Sequence, residues 1–433
     1  MPVGRIREAY RLIGAGVLGV LALVSLVGSP PATGRVHVGY ATQGRCDGFP
    51  AVALKTAPGL CVGLVSSQLG FARGVTVLGH DVYVVDLGGG WRHNHGRLLR
   101  LKDDGRAAPE VLLTGLDEPN ALAPAPGGRL YMSVLGRIVS LDPNAADVAA
   151  SQRDVVTGLP RGGLHPLAAM ALAPDGSLFV NVGSGTDHCE TPGGKKGEDT
   201  PPQADAPCPE TVGAAPRGVI LHVTPGAIPV NVAGLRPYAQ GLRNAMALAV
   251  LPGNQVVTAT NARDNIADAD PALADEDLPH DLYLTLKEGA DYGWPYCYDQ
   301  GVPSPEYRGG YTAADCRARQ APTLLLPAHA APLGLLPYAE GPLPGLAGTL
   351  LITLHGYRDT GHRVVALPID AQGRPTGAAK DIVFGWDAVT GDHPQGAPVS
   401  LARLADGSVL VTEDHNGTLL RLAPGGVIKA GAP

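Results

Sequence analysis

The sequence predicts an all-β fold, a six-bladed β-propeller, and three observations carry that prediction. One segment type recurs six times: a polar or prolyl entry, a short apolar stretch, a turn and a β-branched strand. After most copies a second strand-like run closes the unit, as GRLLRL, GRIVSL, GVILHV, HRVVAL and GTLLRL. The 59 glycines and 40 prolines fit tight turns between short strands, and 45% hydrophobic content is enough for a packed core. Irregular repeats of about 40–75 residues, all strand and turn, are the pattern of propeller blades. A single blade cannot bury its own faces, so the 433-residue chain reads as one closed domain.

The elements follow in chain order. Arg5, Arg7 and Arg11 precede an apolar stretch from Leu12 to Val27, then Gly28, Ser29, Pro30 and Pro31. Residues 1–33 therefore read as an export signal, or as an uncleaved membrane anchor. The stretch falls short of the ~20 residues of a spanning helix. The propeller occupies 34–424, opening with a lead-in over 34–66. Blade one (67–110) holds FARGVTVLGHDVYVVD, and blade two (111–158) holds EPNALAPAPGGRLYMSV. Blade three starts at Leu159 with HPLAAMALAPDGSLFVNV and carries a long insertion, 184–217. Blade four (234–294) holds RNAMALAVLPGNQVVTAT and an acidic insertion, 261–281. A loop over 295–322 leads to blade five (to 375), and blade six runs to 424, leaving 425–433 as a tail. The two insertions follow the inner strands of adjacent blades, so together they are expected to wall a pocket over the channel.

Net charge is −7 with no long basic run, which argues against nucleic acid as a partner. Six cysteines fall into local pairs: Cys46 with Cys61, Cys189 with Cys208, and Cys297 with Cys316. Many connectivities are open, and nearest-neighbour pairing is the simplest. Such bridges persist in an oxidising compartment, which makes the chain periplasmic or secreted. No CxxC pair offers zinc thiolates, and no CxxCH offers covalent haem. Ser184 lies between glycines but matches no nucleophile elbow.

A propeller puts the start of each inner strand at the channel. That selects Arg73, Asn120, His165, Arg243 with Asn244, His329 and Gln395. A histidine such as His165 can take a substrate proton, or it can simply bond a loop carbonyl. The Arg243 fork suits carboxylates or quinone oxygens, or ties blades together through carbonyls. The acidic insertion holds Asp264, Asp268, Asp270, Asp275, Glu276, Asp277 and Asp281. Hard cations take such oxygens, but the spacing is not that of an EF-hand. Asp264 and Asp281, at its ends, are the better candidates, and the rest read as a solvated face. His355, Arg358 and Arg363 cluster in HGYRDTGHRVVAL.

The stretches CDGFPAVALKTAPGLCVGLV, HPLAAMALAPDGSLFVNVGS, GLRNAMALAV, DLYLTLKEGADYGWPYCY, LPAHAAPLGL, HGYRDTGHRVVAL and ADGSVLVTEDHNGTLLRL together resemble the soluble PQQ-dependent sugar dehydrogenases, in particular the sorbosone dehydrogenase-like branch. GLRN followed by YGWP, with AHAAPLGL after it, is the specific combination. The resemblance implies a six-bladed propeller that binds pyrroloquinoline quinone and calcium over its channel. It implies oxidation of a sugar or related aldehyde or alcohol, with electrons leaving to a separate acceptor, a cytochrome or quinone. His165 matches the general base, and Arg243 and Asn244 match the cofactor-side residues. Asn261, Ala262 and Asp281 match the calcium site, through backbone oxygens and a carboxylate. His355 stands where glucose-type members have a cofactor-binding lysine.

Two departures stand out. Ser184 takes the place of an aspartate that supports the base, and Ala397 takes the place of an arginine at the last blade's entry. Losing one cation beside an anionic cofactor weakens binding by ~1.5–3 kcal/mol. Arg358 and Arg363 are the candidates to compensate. The rivals are a binding propeller that has lost the cofactor and a metal-dependent lactonase-like hydrolase. The latter needs several channel carboxylates and amides, and the blade entries supply only Asn120 and Asn244.

Overall fold

A computed structural model describes residues 40–193, 200–224, 228–356, 358–386 and 396–425. The signal or anchor expected over 1–33, Gln395 and all of the tail but Gly425 lie outside the described residues. Among those described, no helix is long and apolar enough to cross a membrane.

Six sheets form the six blades, antiparallel throughout except where the short strands Val230–Asn231 and Ala290–Asp291 add in parallel to the outer edges of blades two and three. Blade one comprises Ala72–Leu78, Asp81–Asp86, Gly96–Leu101 and Glu110–Leu116. Blade four comprises Asn244–Val250, Val256–Asn261, His280–Thr285 and Leu324–Ala328. The second strands are buried along their whole length in blades three, five and six, as LFVNV, TLLITL and VLVTE, and at all but one end residue in the others. That explains why they read as continuous apolar runs rather than alternating ones. The core lies between neighbouring blades: Val409 and Val411 of blade six pack with Leu351 and Val364 of blade five. Blades three and six turn on the same device. Asp175 Oδ1 accepts from the Ser177 backbone at 2.9 Å and Asp406 Oδ1 from that of Ser408 at 2.9 Å, while Gly176 and Gly407 take φ of 86° and 85°.

The ring closes where the sequence suggested only a lead-in. Strand Leu60–Ser66 is the fourth strand of blade six, antiparallel to Thr418–Pro424, with Cys61 opposite Ala423. Two blade boundaries also move. Leu324–Ala328 belongs to blade four, so that blade extends beyond the 295–322 loop, and Pro237–Gln240 is the fourth strand of blade three. In each case the outer strand is separated from its hairpin by an insertion, so local spacing does not assign it. The three disulfides are the nearest-neighbour pairs, with Cα–Cα distances of 5.7, 5.9 and 5.6 Å.

Each hairpin brings the end of its second strand back beside the start of its first. Asn244 lies opposite Asn261, Ala72 opposite Asp86, and Pro398 opposite Glu413. Strand-two exits therefore share the channel end with strand-one entries.

Candidate active site

A cavity of about 620 Å³ opens at that end, and Arg73, His165, Arg243, Asn244, Asn261, Ala262, Asp281, His329, His355 and Arg358 all line it. His165 Nδ1 lies 2.9 Å from Ser184 Oγ, and the Ser184 hydroxyl donates to the Thr186 carbonyl at 2.6 Å. With its proton spent there, Ser184 accepts from Nδ1–H, which leaves the His165 Nε2 lone pair as the basic position. Burial, then the nearby Arg243 charge, push the His165 pKa down to about 3, so the ring is neutral. Gly183 permits this approach, because a Cβ there would lie 2.6 Å from that of His165.

Arg243 is only 4% exposed and fully engaged. Nε donates to the Asp187 carbonyl at 3.2 Å and Nη1 to the Ala262 carbonyl at 2.6 Å. Nη2 pairs with Asp187 Oδ1 at 2.6 Å and Asp264 Oδ2 at 2.9 Å. Trp294, of the YGWP motif, donates from Nε1 to the same Asp187 carbonyl at 3.0 Å. Burial would raise the Asp187 carboxyl, but Arg243, then His188, hold it well below the usual range. Asp187 is the residue at which GLRN and YGWP converge, and sequence reasoning passed over it. Asp264 N also donates to Asp187 Oδ1 at 2.9 Å, so the two insertions do meet on the wall of the cavity.

Asp281 is 2% exposed, and its oxygens accept from Ala262 N at 2.7 Å and Ala331 N at 2.6 Å. Burial pushes its pKa up to about 6. Asn244 Oδ1, Asn261 Oδ1 and His329 Nε2 are buried without a hydrogen-bond partner. His329 Nδ1 lies 3.5 Å from Asp264 Oδ1.

On the blade-six side, His355 Nε2 lies 3.0 Å from Asp414 Oδ2, which also takes Arg73 Nη1 at 3.0 Å. Burial opposes the Asp414 charge, yet His355 and Arg73 hold its carboxyl low. Asn120 stands beneath, accepting from Arg73 Nε at 3.1 Å. Ala397 is buried and contributes backbone alone: its N–H donates to Glu413 Oε1 at 3.1 Å. Arg358 donates to the Asp275 carbonyl at 2.7 Å. Arg363 is the departure from expectation. It does not line the cavity, because its guanidinium is held by Asp381 at 2.9 Å and by the Gly361 and Asp359 carbonyls. Of the remaining insertion acids, Asp268, Glu276 and Asp277 are exposed, as a solvated face requires.

Residues 228–424 match the family model described as TrAA12-like. The Trichoderma reesei Carbohydrate-Active Enzymes Family AA12 iodide structure is 21% identical, with a TM-score of 0.68 over 89% of this chain and 100% of that one. The holo Pyranose Dehydrogenase PQQ domain from Coprinopsis cinerea is 22% identical, with a TM-score of 0.65 over 87% and 99%. The PQQ-bound Aldose Sugar Dehydrogenase from Streptomyces coelicolor is 16% identical, with a TM-score of 0.55 over 85% and 99%. An uncharacterized protein of Borreliella burgdorferi is 27% identical over 192 residues, 42% of this chain and 48% of that relative, so the match spans about half of its length. At such identities the solved structures establish a common fold. The resemblance read in the sequence thus holds for family model and fold: the chain carries the TrAA12-like pattern over 228–424, on the propeller it shares with PQQ-dependent sugar dehydrogenases.

Proposed function

We propose that this protein is an exported quinoprotein that oxidises a carbohydrate, an aldose, sorbosone or a related alcohol or aldehyde, with His165 as general base. The observation that carries the reading is a neutral His165 whose Nε2 is left basic in a cavity rich in guanidinium and orphaned oxygen. The residues fit the expected groups. Asn244 Oδ1 and Asn261 Oδ1 are buried acceptors without donors, and Asp281 is a buried carboxylate short of a counter-cation, a donor set that suits calcium. Arg73, Arg243 and Arg358 bring positive charge for an anionic cofactor where Ala397 brings none. Bound pyrroloquinoline quinone would supply the hydride acceptor, and its two electrons would pass on to a cytochrome or a second quinone.

His165 Nε2 would take the hydroxyl proton of an alcohol, a hemiacetal or a hydrated aldehyde as the same carbon loses hydride, leaving a carbonyl. Ser184 fixes the tautomer, and the Asp187 and Asp264 charges favour the transient imidazolium. Three disulfides support a periplasmic or secreted location, with 1–33 as export signal or membrane anchor. A second reading, a binding propeller without catalysis, draws on Ala397.

The test is titration of the purified chain with the quinone, with and without calcium, followed by dye-coupled oxidation of aldoses and sorbosone. Calcium-dependent binding is expected, with sugar-dependent dye reduction that His165→Ala lowers by about 10²–10⁴-fold. Absence of binding at micromolar quinone would sink the reading.

A further inference from the structure

We propose that Trp91 and Phe71 of blade one form a platform for a carbohydrate ring at the rim of the cavity. The choice of ligand rests on the carbohydrate reading above. Trp91 is 55% exposed, yet it borders the same cavity as His165. Leu164, beside His165 in sequence, is 53% exposed on the same lining. A single exposed indole is common on a protein surface, but this one is held in place. Asp86 Oδ2 accepts from Gly70 N at 2.8 Å and Oδ1 from Gly88 N at 3.0 Å. Arg97 Nε binds the same carboxylate at 3.0 Å, and Leu87 N donates to the Phe71 carbonyl at 3.2 Å. Gly88, at φ 67°, sits where a Cβ would come within 2.0 Å of the His95 carbonyl oxygen, so the loop leading to Trp91 has one course.

The ring itself is braced. Phe71 meets it edge-on at 5.9 Å, and the Arg73 guanidinium carbon lies 5.6 Å from its centroid. Arg73 is in turn fixed by Asp414 and Asn120. An aromatic ring held this way loses little freedom when a ligand covers it. A sugar presents one face of C–H groups to such an indole and a rim of hydroxyls to its surroundings. Arg358, Asp264 and Asn244 in the same lining suit those hydroxyls, whereas a fatty ligand would leave them uncompensated.

The chain has three tryptophans, and the other two, Trp294 and Trp386, are 9% and 1% exposed. Sugar contact therefore reads out on Trp91 without any cofactor. The experiment titrates the full chain, free of quinone, with glucose and with cellobiose, by intrinsic fluorescence and by calorimetry. Circular dichroism checks that each variant folds. A saturable change is expected in the native chain. Trp91→Ala should weaken calorimetric affinity about three- to tenfold, and Trp91→Phe should recover part of the loss. No response to either sugar, or equal affinity in Trp91→Ala, overturns the platform. The dehydrogenase reading fails separately: a chain that binds sugar at Trp91 but never binds quinone keeps the platform and loses the enzyme.

Discussion

Two arginine–aspartate pairs stand on the wall of the cavity, and they are built differently. Arg243 and Arg73 are each 4% exposed. Arg243 has two acid partners, Asp187 at 15% exposure and Asp264 at 58%, both supplied by insertions. Arg73 has Asp414, 1% exposed, at the end of a core strand of blade six. The first pair therefore has one partner that an incoming anion can displace while Asp187 still balances the charge. The second is buried on both sides and, although Arg73 and Asp414 also line the cavity, among the described residues it has no solvent-exposed acid partner to give up.

The strongest attempt to break this comparison is Arg243→Ala. It removes the closest cation from Asp187, leaving His188 at 3.2 Å and Arg263 at 3.9 Å, and takes the donor from the Ala262 carbonyl, which together should cost about 3–5 kcal/mol in urea unfolding. Arg73→Ala should cost less, because His355 Nε2 still lies 3.0 Å from Asp414 Oδ2 and keeps that carboxylate partnered. The reverse order would mean that the blade-six pair carries the structure.

pH should separate the two sides as well. Glu413 is fully buried next to Asp414, and burial pushes its carboxyl up to about 7. A carboxyl raised in the fold binds its proton more tightly when folded, so stability is full below about 4.5 and lost as pH rises through 7, by on the order of 3 kcal/mol. Glu413→Gln should flatten that limb, its amide oxygen facing the Ala397 and Asn416 donors. His165, lowered to about 3, works in the opposite sense: its contribution is present above about 6.5 and lost as pH falls toward 3. His165→Gln should flatten only the acid side. Unfolding free energies from pH 3 to 8 for both variants check the pair of slopes.

Smaller effects sharpen the picture. Asp264→Asn removes a half-exposed partner, so stability should move by about 0–1 kcal/mol while quinone affinity rises as the guanidinium is released. Arg363→Ala should change stability by no more than about 1 kcal/mol and leave quinone affinity alone, since its pair with Asp381 is partly solvated and lies off the cavity.

Much of the fold was legible because each blade's first two strands form a local hairpin with its own turn residues. What escaped were two outer strands displaced by insertions, Pro237–Gln240 and Leu324–Ala328, and above all Leu60–Ser66, whose partner lies at the far end of the sequence. The site divides in the same way. His165, Arg243 and Asn244 stand at strand-one entries, where the repeat points directly. Asp414 and Asp187 follow strand two, and in an antiparallel hairpin those exits return to the same end. Reading the exits alongside the entries would have found Asp414 in VTEDHNG. Asp187 depends on how an insertion folds back, and no periodicity announces that. Arg363 misled because it sits near His355 in sequence, while its strand carries it toward Asp381 and away from the cavity.

The closing strand has a consequence in time. Cys61 lies against Pro424, 363 positions later in the chain. During synthesis, residues 60–66 can pair early on one edge, with Phe49–Val52, while the other edge waits until Thr418–Pro424 has been made. The ring cannot be shut stepwise from its first blade. Closing it joins two segments far apart in sequence, so the sixth blade is completed only after the strands of the other five have been made.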